Sequence, residues 1–233
     1  MTRWSATRLG TGVVLAGWAA LFWWLLLAGR TSLFLSSRTA WLVPSGAILL
    51  TIAAVGRLTS ARTGHPDPLS RRDSWVLGAI ALPVVILFAM PPVTLGTYAV
   101  GKRASFVGSG IGDSVRVVTG ELDFVDVAAA QSFDDAAAVL ATRAGEQIVL
   151  DGIVTTDESL PPDEFLLTRF IVTCCTADAT IAQVRVVGAA PGAFTIDEWV
   201  QVTGRVYPVG RDVLVAAERI EPIEAPSDPY LTP

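Results

Sequence analysis

Charge is scarce in this sequence. Of 233 residues, 17% are Asp, Glu, Lys or Arg, against about 25% in an ordinary soluble domain. Disorder does not explain the shortage, because a disordered chain needs low hydrophobicity and 52% of this one is hydrophobic. Histidine is nearly absent as well. His65 is the sole imidazole, and it lies far in sequence from the candidate nucleophiles, so neither a Ser-His-Asp nor a Cys-His arrangement is expected. Cysteine occurs twice, at Cys174 and Cys175, and two thiols alone are too few to complete a typical metal site. The expectation is a protein that is not an enzyme.

What charge there is, is unevenly placed. Up to Arg103 there are 10 Lys and Arg against 2 acidic residues; beyond it there are 7 Arg against 20 acidic residues. The halves therefore carry +8 and −13, which make up the net −5. One evenly mixed globular domain is excluded. An ordinary nucleic-acid binder is excluded too, since the half with the composition of a water-exposed domain is acidic and repels phosphate.

The basic half, residues 1–92, reads as a transmembrane region. Twenty-one uncharged residues separate Arg8 from Arg30, enough to cross a hydrocarbon core that needs about 20. A second span is expected over Trp41 to Val55 and a third over Trp75 to Met90, stopped by Pro91 and Pro92 and kinked at Pro83. A cleaved signal peptide fits the first run less well, because the run exceeds the usual apolar length of about 7–15 residues and Leu27-Ala28-Gly29-Arg30 is a poor cleavage site. Six arginines (Arg3, Arg8, Arg57, Arg62, Arg71 and Arg72) flank one side of the spans, against Arg30, Arg38, Lys102 and Arg103 on the other. The excess predicts a cytoplasmic N-terminus and, with three spans, an extracytoplasmic acidic half. No charge falls within the spans, so the chain has no proton relay or ion path of its own.

Residues 93–130 read as a connecting segment containing Gly108-Ser109-Gly110-Ile111-Gly112, a flexible run without the Lys-Ser/Thr of a phosphate loop. From 131 to 233 the pattern is mainly β. Ser132 is expected to cap a short helix through Arg143, ending at Gly145. Strands are expected at Gln147–Thr155, Phe165–Cys174, Ile181–Val187, Glu198–Val206 and Val213–Ile220, the last two joined as a hairpin through Pro208-Val209-Gly210-Arg211. Five short strands in so few residues point to a small barrel like the oligonucleotide/oligosaccharide-binding (OB) fold. The proline-rich tail from Glu221 is expected to lack regular structure.

The chemistry concentrates at Cys174-Cys175. Three readings stay open: small buried residues, a strained vicinal disulfide, or two soft ligands for a thiophilic metal ion or metalloid, with Asp178 as a third ligand. The acidic pairs Asp134-Asp135, Asp157-Glu158 and Asp163-Glu164 read as solvated surface. Arg169, inside an apolar strand, is expected on the solvent face or paired with Asp178 or Asp151.

The segment Phe165-Leu166-Leu167-Thr168-Arg169-Phe170-Ile171-Val172-Thr173-Cys174-Cys175-Thr176-Ala177-Asp178-Ala179 resembles the signature of the YcgQ-like family of bacterial membrane proteins. Glu198-Trp199-Val200-Gln201-Val202-Thr203-Gly204 and the ending Pro226-Ser227-Asp228-Pro229-Tyr230 are similar to two further family motifs. The departures are Thr180, where members often have Pro, and three spans where some members have two. Members are described as permease subunits that pair with a separate multi-span predicted permease. The resemblance thus implies a membrane-anchored accessory subunit of a two-component permease, with Arg169, Cys174, Cys175 and Asp178 as signature positions and Trp199 and Gly204 as structural markers. The alternatives are a stand-alone thiol-based metal or metalloid binder of the cell envelope, and a structural envelope protein without a ligand.

Overall fold

The computed structural model describes residues 3–63, 68–90, 93–103, 121–157, 159–210 and 212–232. His65, Pro91, Pro92, the run from Gly108 to Gly112, Glu158, Arg211 and Pro233 lie outside the described residues. The chain divides into two units, Met1–Val93 and Thr94–Pro233.

The first unit opens with strand β1 (Arg3–Trp4), followed by helices α1 (Ala6–Leu27) and α2 (Leu42–Thr59), strand β2 (Arg62–Thr63) and helix α3 (Arg71–Ala89). The three helices have the length and composition of membrane spans. At 1.5 Å per residue they run about 33, 27 and 28 Å, close to the roughly 30 Å of a hydrocarbon core. Each helix is marked by its sequence. Ser5 caps α1 by accepting from the Arg8 amide, and a reciprocal box between Ser70 and Asp73 starts α3 ahead of its apolar run. Helix α3 runs on through Pro83, where the sequence predicted a kink.

Glycine allows α1 and α2 to approach closely. A Cβ at Gly12 would lie 2.7 Å from Leu58, and one at Gly46 would lie 2.7 Å from Phe22, the small-residue contact that membrane helices use. Helix α3 adds Val84 to a cluster with Leu21 and Leu25, and Trp18 donates from Nε1 to the Ile80 carbonyl at 3.1 Å. The opposite faces stay bare: Leu27 is 85% and Trp75 81% exposed. Large apolar side chains left uncovered on all three helices suit lipid rather than water.

The second unit begins with the short helix α4 (Thr97–Val100), then α5 (Phe124–Ser132) and α6 (Asp134–Thr142). The strands follow: β3 (Gln147–Thr155), β4 (Glu164–Ile171), β5 (Thr180–Val187), β6 (Trp199–Val209), β7 (Asp212–Pro222) and β8 (Tyr230–Leu231). The sheet order is β3-β6-β7-β5-β4, and β4 pairs back with β3, so five strands close into a barrel with β8 added outside β4. All barrel pairings are antiparallel except β5 with β7. That closed five-stranded barrel is the OB-like architecture expected. Its interior is branched aliphatic: Leu150, Leu167, Val184, Val186, Val200, Val202 and Val215, with Phe124 and Val127 packed in from α5 and Leu140 from α6.

Three local expectations are corrected. The helix placed from Ser132 to Arg143 is α6, which starts at Asp134, and it is preceded by the unexpected α5, divided from it at Phe133, whose φ of −126° and ψ of 132° are extended. Ser132 is not a cap but the last residue of α5, where its hydroxyl donates to the Ala128 carbonyl at 2.9 Å; the cap of α5 is Asp123. Strand β4 ends at Ile171, three residues before Cys174. The tail, read as irregular, supplies β8, which pairs Tyr230 with Phe170 and Leu231 with Ile171 in parallel.

Candidate functional site

Cys174 and Cys175 occupy the connection between β4 and β5. The chain leaves β4 at Ile171, and the Val172 amide donates to the Leu231 carbonyl at 2.8 Å, so β8 guides it out of the sheet. It then folds through a single 3-10 turn at Thr176–Asp178 and re-enters the barrel at Thr180. Asp178 makes this turn. Its Oδ1 accepts from the Thr173 amide at 3.1 Å, and its Oδ2 accepts from the amides of Cys174 at 2.8 Å and Cys175 at 3.3 Å. In return the Asp178 amide donates to the Cys175 side chain, completing a capping box. Three consecutive N–H groups thus converge on one carboxylate.

Both cysteines are thiols. Cys174 is exposed and Cys175 half-buried. That exposure is unlike the near-complete burial expected of a purely packing cysteine. The thiol and carboxylate ligand atoms of Cys174, Cys175 and Asp178 all lie within 4.8 Å of one another.

The electrostatics favour a protonated Cys174. Its thiol donates to the Asp178 carboxylate, which with the neighbouring Cys175 pushes its pKa up to about 12. Burial works to raise the Asp178 pKa, but the hydrogen bonds from Cys174 and from the three amides outweigh it and hold the carboxyl below its ordinary value. Such a thiol is a poor nucleophile at neutral pH. It becomes a ligand when a soft cation replaces its proton.

Arg169 is not part of this cluster. It falls in the inward row of β4 with Phe165, Leu167 and Ile171 and is only 7% exposed. Its guanidinium donates to the carbonyls of Asp151 (3.2 Å) and Asp228 (3.3 Å) and lies 5.1 Å from the centre of the Trp199 ring. Burial lowers its pKa, and the charges of Asp151 and Asp228 oppose that shift. It is therefore neither on the solvent face nor paired with Asp178, and it meets Asp151 through the carbonyl rather than the carboxylate. Asp151 instead accepts from Gln201 Nε2 at 2.9 Å. Arg169 ties the tail to the barrel. Trp199 is its platform, and Gly204 stands at the β6–β7 irregularity, where a Cβ would collide with the Ala216 carbonyl oxygen and lie 2.8 Å from Val215 Cγ1.

The structure adds two residues to the neighbourhood of the turn. Arg103 donates from Nη1 to the Ala177 carbonyl at 2.7 Å, tying the segment around Arg103 to the 3-10 turn. Tyr230 is buried against Phe170, and its hydroxyl accepts from the Leu95 amide at 3.1 Å. Arg103 entered the sequence reading only as a charge flanking a span. A contact across 74 residues leaves no local signal.

A DUF1980 C-terminal domain, an uncharacterised family, is found by its family model at residues 130–233, the segment that contains every barrel strand and the cysteine pair. No curated protein matches the chain.

Proposed function

We propose that this chain is a membrane-anchored accessory subunit of a two-component permease, and that its barrel binds a thiophilic metal ion at Cys174 and Cys175 for delivery to or from a separate permease. The observation that carries this reading is the thiol pair itself: accessible, reduced and fixed on a turn that Asp178 organises. An acidic domain without a histidine has little else with which to hold a soft ion. The spans support the anchoring role. Their central stretches carry no charge, and their exposed side chains are apolar, which suits contact with lipid or another apolar helix but not conduction. The distribution of flanking arginines favours an extracytoplasmic barrel.

Two measurements test this. Purified in mild detergent from its own cells, the chain should bring down a multi-span membrane protein; repeated purification without such a partner rejects the subunit role. Replacing both cysteines by Ser should abolish stoichiometric metal binding by the full chain, and retained binding rejects the site. Labelling of intact cells with a membrane-impermeant thiol reagent reports the side. Cys174 and Cys175 are the sole thiols, so label on intact cells places the barrel outside and its absence, with label after lysis, places it inside.

A further inference from the structure

Building on the reading of the thiol pair as a metal site, we infer that Asp178 is a positioning residue and not a ligand, and that the site takes a soft monovalent ion of the copper(I) class on two thiolates alone. Proximity makes Asp178 the obvious third ligand, since its carboxylate lies within 4.8 Å of both thiols. Its oxygens, however, already serve the backbone. Oδ1 accepts from Thr173, and Oδ2 accepts from both Cys174 and Cys175, which takes three of the about four lone-pair sites of a carboxylate. Turning the carboxylate onto a cation between the sulfurs would weaken its bonds to the amides of the very residues that carry the thiols. The turn that places the thiols would then loosen as the metal arrived.

With Asp178 assigned to the backbone, two sulfurs remain. Among the described residues, the cluster of potential ligands at the turn contains no member beyond these three. Zinc in a structural site asks for four ligands, and hard cations ask for oxygen. Copper(I) is satisfied by thiolate sulfur and tolerates a coordination number of two. Binding replaces two S–H protons, which pass to the buffer, by two Cu–S bonds. The copper stays monovalent and no electron is transferred. The exposure of Cys174 leaves one flank of the ion open to solvent, as exchange with a second protein requires.

The test uses the full chain in mild detergent, titrated without oxygen with copper(I) against a chelator and separately with zinc(II), followed by X-ray absorption of the copper-loaded protein. One copper(I) per chain, a first shell of sulfur only, and weaker zinc binding are expected. Asp178→Ala should weaken copper binding by about 10–100-fold, the usual loss when an outer partner of a ligand is removed. Asp178→Asn keeps one acceptor oxygen for the backbone and presents an NH2 donor in place of the other, so it should weaken copper binding by no more than Asp178→Ala does, with the same sulfur shell. If Asp178→Ala does not fold, the Asn variant and the parent's spectrum decide. An oxygen ligand that disappears in Asp178→Asn, or zinc held more tightly than copper(I), overturns the inference while leaving a metal site in place. Metal binding unchanged in the double Ser variant overturns the site itself, and the inference with it.

Discussion

Leu82 on α3 and Leu167 on β4 are the same residue with opposite surroundings. Leu82 is largely exposed although it belongs to an apolar helix, and Leu167 is wholly enclosed by the barrel. The contrast extends to whole elements. The first unit buries small residues such as Ala47 and Ala54 alongside a few large ones such as Leu21 and Leu25 and turns many of its large ones outward, whereas the second hides Leu, Val and Phe and shows water Asp, Glu and Arg. Each unit is thus fitted to a different solvent. In lipid, apolar surface costs nothing to expose, and helices associate through close backbone approach at Gly12 and Gly46. In water, the barrel is held by the burial of apolar surface. Polar chemistry is inexpensive only in the second environment, and there the thiol turn sits.

The largest expected effect breaks this comparison directly. Leu167→Ala removes a fully buried side chain and should destabilise the barrel by about 2–5 kcal/mol, seen as faster hydrogen exchange across the β3–β6 amides. Gly204→Ala comes next. Its new Cβ would collide with the Ala216 carbonyl oxygen and press on Val215 at the β6–β7 irregularity, and overpacking of this kind costs about 1–3 kcal/mol. Tyr230→Phe removes the oxygen that accepts from the Leu95 amide and should cost about 0.5–1.5 kcal/mol, with exchange accelerated at Leu95 and along β8. Leu82→Ala should change stability in detergent by less than about 0.5 kcal/mol. A loss there as large as at Leu167 would mean that protein, not lipid, covers this face of α3 in the sample.

The two units were not equally readable from sequence. A span is a demand on composition, so three uncharged runs were enough to place α1, α2 and α3 to within about four residues. Barrel strands were legible where inward and outward residues alternate, as in β6. Helix α5 was missed because Phe124-Val125-Asp126-Val127-Ala128-Ala129-Ala130 is buried all round and has no polar face to give it a period. The end of β4 was overrun because Val172 and Thr173 continue a β-branched pattern. What stops the strand is Asp178 reaching back to three amides together with Leu231 receiving the Val172 amide. Strand β8 depends on Phe170 and Ile171, some 60 residues away in sequence, so proline composition alone misjudged it. For the site, the residues of the turn were legible as a group, but Asp178 as the hub of the turn was not, since spacing does not say which atoms a carboxylate serves.

The finest distinction concerns titration. Away from the helix ends, the spans offer protons nothing to bind, whereas the thiol turn holds two groups displaced in opposite directions. The depressed pKa of Asp178 means that its contribution to the ordered turn is present above the ordinary carboxyl value of about 3.9 and is lost as pH falls through the lower folded value. The raised pKa of Cys174 means that its contribution is complete below the ordinary thiol value of about 8.5 and is lost as pH rises toward about 12. The metal-free turn should therefore be best ordered between those two ordinary values. Followed by thiolate absorbance, Cys174 should remain protonated well past the pH at which a free thiol ionises. Asp178→Asn removes the acceptor charge and replaces one of the two acceptor oxygens with an NH2 donor, so Cys174 should then titrate closer to an ordinary thiol. A thiol that stays equally high in Asp178→Asn would show that the carboxylate is not what holds the proton on the sulfur.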